Sequence, residues 1–223
     1  MAFSSRSSGD LYRLSSQKNF KDLVDLARSL KSIYAPLKVE DMLRPQKFCQ
    51  TRIDKVAENL VPSHYSKDNV KPILTKGDGN CLFNAASLAL CGSENISANL
   101  RVRTAIELAT NLQYYKNHPA LAKSGLKRRN GEPWDISSVY YATIFDASSS
   151  QVFLTNGFDA AIQEEIMKTS RNGSYSGLLQ IMGLASAIGC EIHMIYPDAN
   201  HRIISLLNGV YLPRELSTNR SYP

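Results

Sequence analysis

Apolar positions in this chain repeat mostly with the three-to-four-residue spacing of helices and alternate as in a strand over one short stretch. Phe20, Leu23, Val24, Ala27, Leu30 and Tyr34 predict an amphipathic helix over 17–34, stopped by Pro36 because proline lacks the N–H and clashes with the preceding turn. Ile53, Val56, Ala57 and Leu60 suggest a short helix ended by Pro62. Ala85 to Leu90 has strong helix-former composition closed by Gly92, and Ser97 is placed to cap a further helix from Ala98 to about Tyr115. Trp134, Val139, Tyr140, Tyr141, Ile144 and Phe145 put an aromatic face on a helix over 134–147, and a short helix follows from Phe158 to Met167. Residues 176–189 read as a buried helix with a glycine stop, after which Cys190 to Tyr196 alternates like a strand. His118 to Pro133 reads as a loop, and the Ser-rich stretch 1–16 as a disordered tail.

With 223 residues, 43% of them hydrophobic, the chain can bury a substantial core. The pattern divides it into the tail, a helical N-terminal extension over 17–69 and one domain over 70–223. Its four cysteines and four histidines form no C-x-x-C pair, zinc-like spacing or H-E-x-x-H motif, so no metal site, cofactor or disulfide framework is expected. No apolar run approaches the length of a membrane span, and the N-terminus lacks the apolar core of a secretory signal. Together with free thiols this places the expected compartment in the cytoplasm or nucleus, with no membrane partner. The net charge of +6 is spread out, and its densest cluster, Lys123, Lys127, Arg128 and Arg129, has no interleaved aromatics, which does not point to nucleic acid.

One stretch carries chemistry. From Thr75 to Gly92 a polar turn, Gly77-Asp78-Gly79-Asn80, opens directly into an Ala/Leu-rich helix and places Cys81 at the helix start. Unpaired N–H groups and the positive end of the helix dipole favour a thiolate there, and the same N–H groups can hold the oxyanion formed when a thiolate attacks a carbonyl. Cys49, Cys91 and Cys190 have no such neighbours and read as small buried hydrophobes. Asp78 suits either a turn-capping carboxylate or a catalytic one.

The run Asp78-Gly79-Asn80-Cys81-Leu82-Phe83 resembles the active-site signature of the ovarian-tumour (OTU) family of cysteine proteases. The resemblance extends over roughly 70–210: Asn99-Leu100-Arg101-Val102-Arg103 is similar to the family's second helix, and the helix-then-strand unit over 176–196 to the one that feeds its central strand. It implies a papain-like α/β fold, with a small central β-sheet flanked by helices. It also implies hydrolysis of isopeptide bonds at the ubiquitin C-terminus, with ubiquitin or polyubiquitin as the partner. On this resemblance Cys81 is the nucleophile, and Asp78 forms the oxyanion turn or orients the base. His201, a short turn after the strand, looks like the family's closing histidine, but Arg202 and Ile203 stand where an aromatic and an Asp or Asn usually follow. On a second alignment Arg202–Leu207 and Val210–Leu212 are middle strands and the base lies beyond Pro223. The segments Tyr114-Tyr115, Ile144-Phe145-Asp146-Ala147 and Ile195-Tyr196-Pro197 resemble a regulatory animal relative of that family. They support a rival expectation, an inactive OTU-like module that binds ubiquitin or a chromatin partner without cleaving.

Overall fold

The computed structural model describes residues 2–35, 37, 52–65, 70–197, 201 and 203–217. In chain order the elements are α1 (Ala2–Ser15), α2 (Phe20–Leu30), α3 (Lys55–Glu58), α4 (Cys81–Cys91), α5 (Ser97–Thr110), α6 (Leu112–Lys116), α7 (Pro119–Ala122) and α8 (Ile136–Thr143). They continue with α9 (Ala147–Asn156), α10 (Phe158–Thr169), α11 (Leu178–Ile188), β1 (Ile192–His193), α12 (Ile204–Leu207), β2 (Val210–Tyr211) and α13 (Arg214–Ser217). Among the described residues the protein is mostly helical. Its sheet is one antiparallel pair, with Ile192 opposite Tyr211 and His193 opposite Val210.

The structure is built around α5, which packs against α1, α2, α4, α10 and α11. Every residue from Asn99 to Ile106 is buried, so this helix has no solvent face over that length. The crossing of α11 over α5 is close because residue 183 is glycine: a Cβ there would lie 2.7 Å from Leu108 Cγ. One large core joins Leu14, Leu23, Val102, Leu108, Tyr140, Ile162 and Met182. A smaller core of Phe83, Leu90, Leu100, Leu184 and Ile188 lies beneath α4, with Ile192 of β1 packed against it.

Several predicted elements are redrawn by packing. Where the sequence predicts a disordered tail over 1–16, α1 lies on α5 with Leu11 and Leu14 buried. Polar residues of α1 also find partners: Asn99 Nδ2 donates to Ser7 Oγ (2.9 Å), and the Tyr34 hydroxyl donates to Asp10 (2.9 Å). The helix expected to reach Tyr115 breaks at Asn111 and resumes as α6. The expected loop 118–133 contains α7 and a bridge between Lys127 and Pro133. The aromatic helix expected over 134–147 ends at Thr143 as α8, and an unexpected helix, α9, starts at Ala147, where Asp146 accepts the Ser149 N–H (2.9 Å) as its cap. The expected strand at Cys190–Tyr196 keeps ladder pairing only over β1. The second alignment makes Arg202–Leu207 a strand, but Ile204–Leu207 form helix α12 and of its two middle strands only Val210–Tyr211 pair. Arg202, Pro36 and Cys49 lie outside the described residues. The mixed class therefore holds with far less sheet than the resemblance implies, since among the described residues two short strands stand where it implies a central sheet.

Candidate active site at the Cys81 turn

Cys81 opens α4 and is half-buried, with Asn80 at the cap position and the first helical bond running from Asn84 N–H to Asn80 C=O (2.9 Å). The Asn80 side chain does not cap this helix. It reaches sideways, where its Oδ1 accepts the N–H of Gly173 (3.2 Å) in the loop after α10. Asp78 brackets the turn from outside: its Oδ1 accepts the Asn80 N–H (2.9 Å) and the Asn84 side-chain amide (3.3 Å). The Asn80 N–H is the chief reason the exposed Asp78 carboxyl is held below its ordinary value. In this structure the Asp78 side chain acts as a turn bracket, and Lys76, ion-paired to Glu94 (3.0 Å), flanks it.

Gly79 is where the turn meets the rest of the protein. Its φ of +80° is costly for any residue with a Cβ, and a Cβ there would sit 1.8 Å from the carbonyl oxygen of Gly173. The turn and the 170–174 loop are thus pressed backbone to backbone. Beneath them lies the guanidinium of Arg101, an arginine only 1% exposed. Its Nη2 donates to Gly79 C=O and Ser174 C=O (2.8 Å each), and its Nη1 to Thr169 C=O (3.1 Å) and Arg171 C=O (3.0 Å). Its carbon centre rests 4.5 Å over the ring of Phe83. Burial pulls its pKa down to about 10, opposed by the negative charge of Asp78 and of a Cys81 thiolate.

The histidines are placed elsewhere. His201 is exposed, and its Nδ1 accepts the Ile203 N–H (3.3 Å). His193 Nε2 is 2.9 Å from Glu191 Oε1, on the exposed side of β1. His64 packs against Tyr65 with the rings tilted by 41° and 4.5 Å between centroids. His118 caps α7 through Nδ1 (3.3 Å from Ala120 N) and is buried, which pushes its pKa down to about 3. Among the described residues no hydrogen bond joins a histidine to Cys81 Sγ; the structure brings Asp78 to the Cys81 turn and leaves His201 unbonded to the thiol. Cys91 is a packing thiol that donates to Ser87 C=O (3.0 Å). Nor does any group of three His, Cys, Asp or Glu side chains among the described residues converge as a metal site.

Two contributors are not evident from the Cys81 motif alone: Arg101 and the Thr169–Ser174 loop. For Arg101 no signal existed, because Ser97, Arg103, Thr104 and Glu107 give α5 a polar side on which an arginine could equally well face solvent. The loop partner is ninety residues away in sequence, and no local pattern indicates it.

A half-buried cysteine opening a helix behind an Asp-Gly-Asn turn is the feature by which the chain resembles OTU domains, and that class is matched directly. Residues 72–222 match the family model described as the OTU domain of Vertnin, and the chain belongs to that family. It is 30% identical over 163 residues to Vertnin of Mus musculus, covering 73% of this chain and 20% of that protein. Against Vertnin of Homo sapiens the identity is 29% and against that of Danio rerio 28%, each over 163 residues covering 73% of this chain and 22% of the relative. The chain thus spans about a fifth of the length of these relatives. No solved structure matches it. Among the described residues no helix is long and apolar enough to cross a membrane.

Proposed function

We propose that this chain is an OTU-type, papain-like cysteine deubiquitinase module that attacks the ubiquitin C-terminus through Cys81. The observation carrying this is the setting of the thiol: it opens α4 in a turn that a buried guanidinium and an opposing loop hold in place. In the step proposed, Cys81 Sγ forms a bond to the carbonyl carbon of the ubiquitin C-terminal glycine. The C–O π electrons move to the oxygen, where N–H groups at the start of α4 stabilise the charge. The C–N bond then breaks, the amine leaves with the proton first taken from the thiol, and water releases ubiquitin from the thioester. His201 is the residue proposed to carry that proton, on the strength of its position after β1 in the sequence; Asp78 shapes the turn. The compartment proposed is cytoplasmic or nuclear, since a thiol nucleophile needs a reducing medium.

A second reading is supported by one observation, that no histidine bonds to Cys81 Sγ among the described residues. It is a module that binds ubiquitin or a chromatin protein without cleaving it. The two separate on incubation with ubiquitin carrying a C-terminal electrophile and, in parallel, with diubiquitin. Labelling lost in Cys81→Ala but kept in Cys91→Ala, together with diubiquitin cleavage that His201→Ala abolishes, supports the protease. Labelling without cleavage supports the binding module. Labelling that persists in Cys81→Ala removes the nucleophile assignment.

A further inference from the structure

We propose that Arg101 is a positioning residue of the Cys81 site, tying the Gly79 carbonyl of the nucleophile turn to the Thr169–Ser174 loop so that turn and loop are ordered together. The guanidinium is a poor choice for mere filling. A buried cation is costly even when most of its hydrogens find acceptors, and apolar side chains of similar volume usually pack as well or better. Here all four Nη hydrogens are used, every acceptor is a backbone carbonyl, and the Nε–H alone is left without a partner among the described residues. Three belong to one short segment: Thr169 closes α10, and Arg171 and Ser174 follow it. The cation therefore sits at the negative end of the α10 dipole, where carbonyls lack intrahelical partners. The fourth acceptor, Gly79, is two residues before Cys81.

Three other features couple the same two segments. Asn80 Oδ1 accepts Gly173 N–H, the Gly79 and Gly173 backbones touch too closely for a side chain, and Phe83, in the first turn of α4, forms the floor under the guanidinium. The neighbouring Arg103 shows the contrast. Its Nε donates to Asn99 Oδ1 (2.7 Å), its Nη1 to Ala35 C=O, and it lies 5.4 Å from the Tyr34 ring centroid, so it holds the N-terminal helices. From one buried helix, one arginine fastens the scaffold and the other the site. Lysine cannot replace Arg101, because one ammonium has three hydrogens on a single atom and cannot reach four carbonyls spread around a fork.

The test uses the full chain, with Arg101→Lys and Arg101→Gln. In the first arm, ubiquitin aldehyde is the probe, because its adduct carries the tetrahedral oxygen that a misplaced turn fails to hold, and iodoacetamide reports thiol access without forming an oxyanion. Arg101→Lys, folded by circular dichroism, should weaken aldehyde binding by roughly 10- to 100-fold. Iodoacetamide alkylation of Cys81 should change less than about threefold, because displacement at carbon needs no oxyanion donor. Equal losses with both probes, or no loss with either, would overturn the positioning role. This arm rests on the deubiquitinase reading; if wild type ignores ubiquitin aldehyde, that reading fails and the second arm still decides the tie. In the second arm, the backbone amide signals of Gly79 and Gly173 are followed by NMR. Arg101→Lys should move or broaden both together while signals of α1 and α2 stay put, and unchanged Gly79 and Gly173 signals would overturn the proposal. Should neither variant fold, the wild-type Arg101 Nη–H signals substitute. They should exchange slowly and shift when Cys81 is alkylated, and fast-exchanging, unresponsive signals would sink the idea.

Discussion

Replacing Gly79 by alanine should unseat the turn that carries Cys81, and its cost can be worked from the geometry. Two effects add. The left-handed backbone at φ +80° is disfavoured for alanine by about 1–2 kcal/mol. The new Cβ would also lie 1.8 Å from Gly173 O and 2.4 Å from Gly173 C, backbone atoms that cannot rotate away. The loop must retreat by about 1 Å or more, which breaks the Gly173 N–H bond to Asn80 worth about 1 kcal/mol. The expected total is about 2–4 kcal/mol, read as a lower urea midpoint at unchanged slope. Two controls separate the effects. Gly173→Ala has the same backbone handicap (φ +76°), but its Cβ meets only Asp78 O at an ordinary 3.4 Å, so it should cost about 1–2 kcal/mol. Gly77→Ala meets nothing within 4 Å and has no left-handed backbone, so its stability should stay within about 1 kcal/mol of the parent. If Gly79→Ala melts with Gly77→Ala, the backbone contact between turn and loop does not exist in solution. If it melts with Gly173→Ala, strain alone is at work and the clash is absent.

Gly183→Ala should cost about 1–3 kcal/mol by driving a methyl into Leu108, as overpacked cores do. The double variant with Leu108→Val should recover part of that loss, and strict additivity in a double-mutant cycle would refute the contact. His118 makes stability depend on pH. Its folded pKa of about 3 lies below the ordinary 6.5, so between those values the unfolded chain binds a proton that the folded chain does not, and stability falls as pH drops. Between pH 6.5 and about 5, where most carboxylates stay ionised, the loss should be about 1.5–2 kcal/mol. His118→Gln should flatten that slope, and an unchanged slope would show the ring to be solvated. Asp78→Ala should leave ubiquitin-probe labelling of Cys81 within about tenfold of the parent if the carboxylate only brackets the turn. A loss on the order of 100-fold or more would place it among the groups that stabilise the reacting oxygen.

What the sequence determined by itself is local. The Cys81 turn was legible because glycine, aspartate and asparagine restrict a backbone within a few residues, and α4 follows from Ala85 to Leu90 with Gly92 as its stop. The amphipathic period of α2 and the glycine stop of α11 are equally local and appear where expected. Packing decided the rest. Residues 1–16 carry too little hydrophobicity to predict order, yet Leu11 and Leu14 suffice once α5 offers them a surface, since helix stability in a protein comes mainly from such contacts. Ile204–Leu207 has the β-branched and apolar composition of a strand, but short apolar runs do not distinguish strand from helix, and here α12 forms. Arg101 is the sharpest case. It stands among Asn99, Arg103, Thr104 and Glu107, so the sequence does not say that it is buried, and what it holds, Gly79 on one side and Thr169, Arg171 and Ser174 on the other, lies 22 to 73 residues away. Hydrogen bonds to backbone carbonyls leave no trace in side-chain identity, so only the tertiary structure could show that the cysteine turn is held from beneath by an arginine of the next helix.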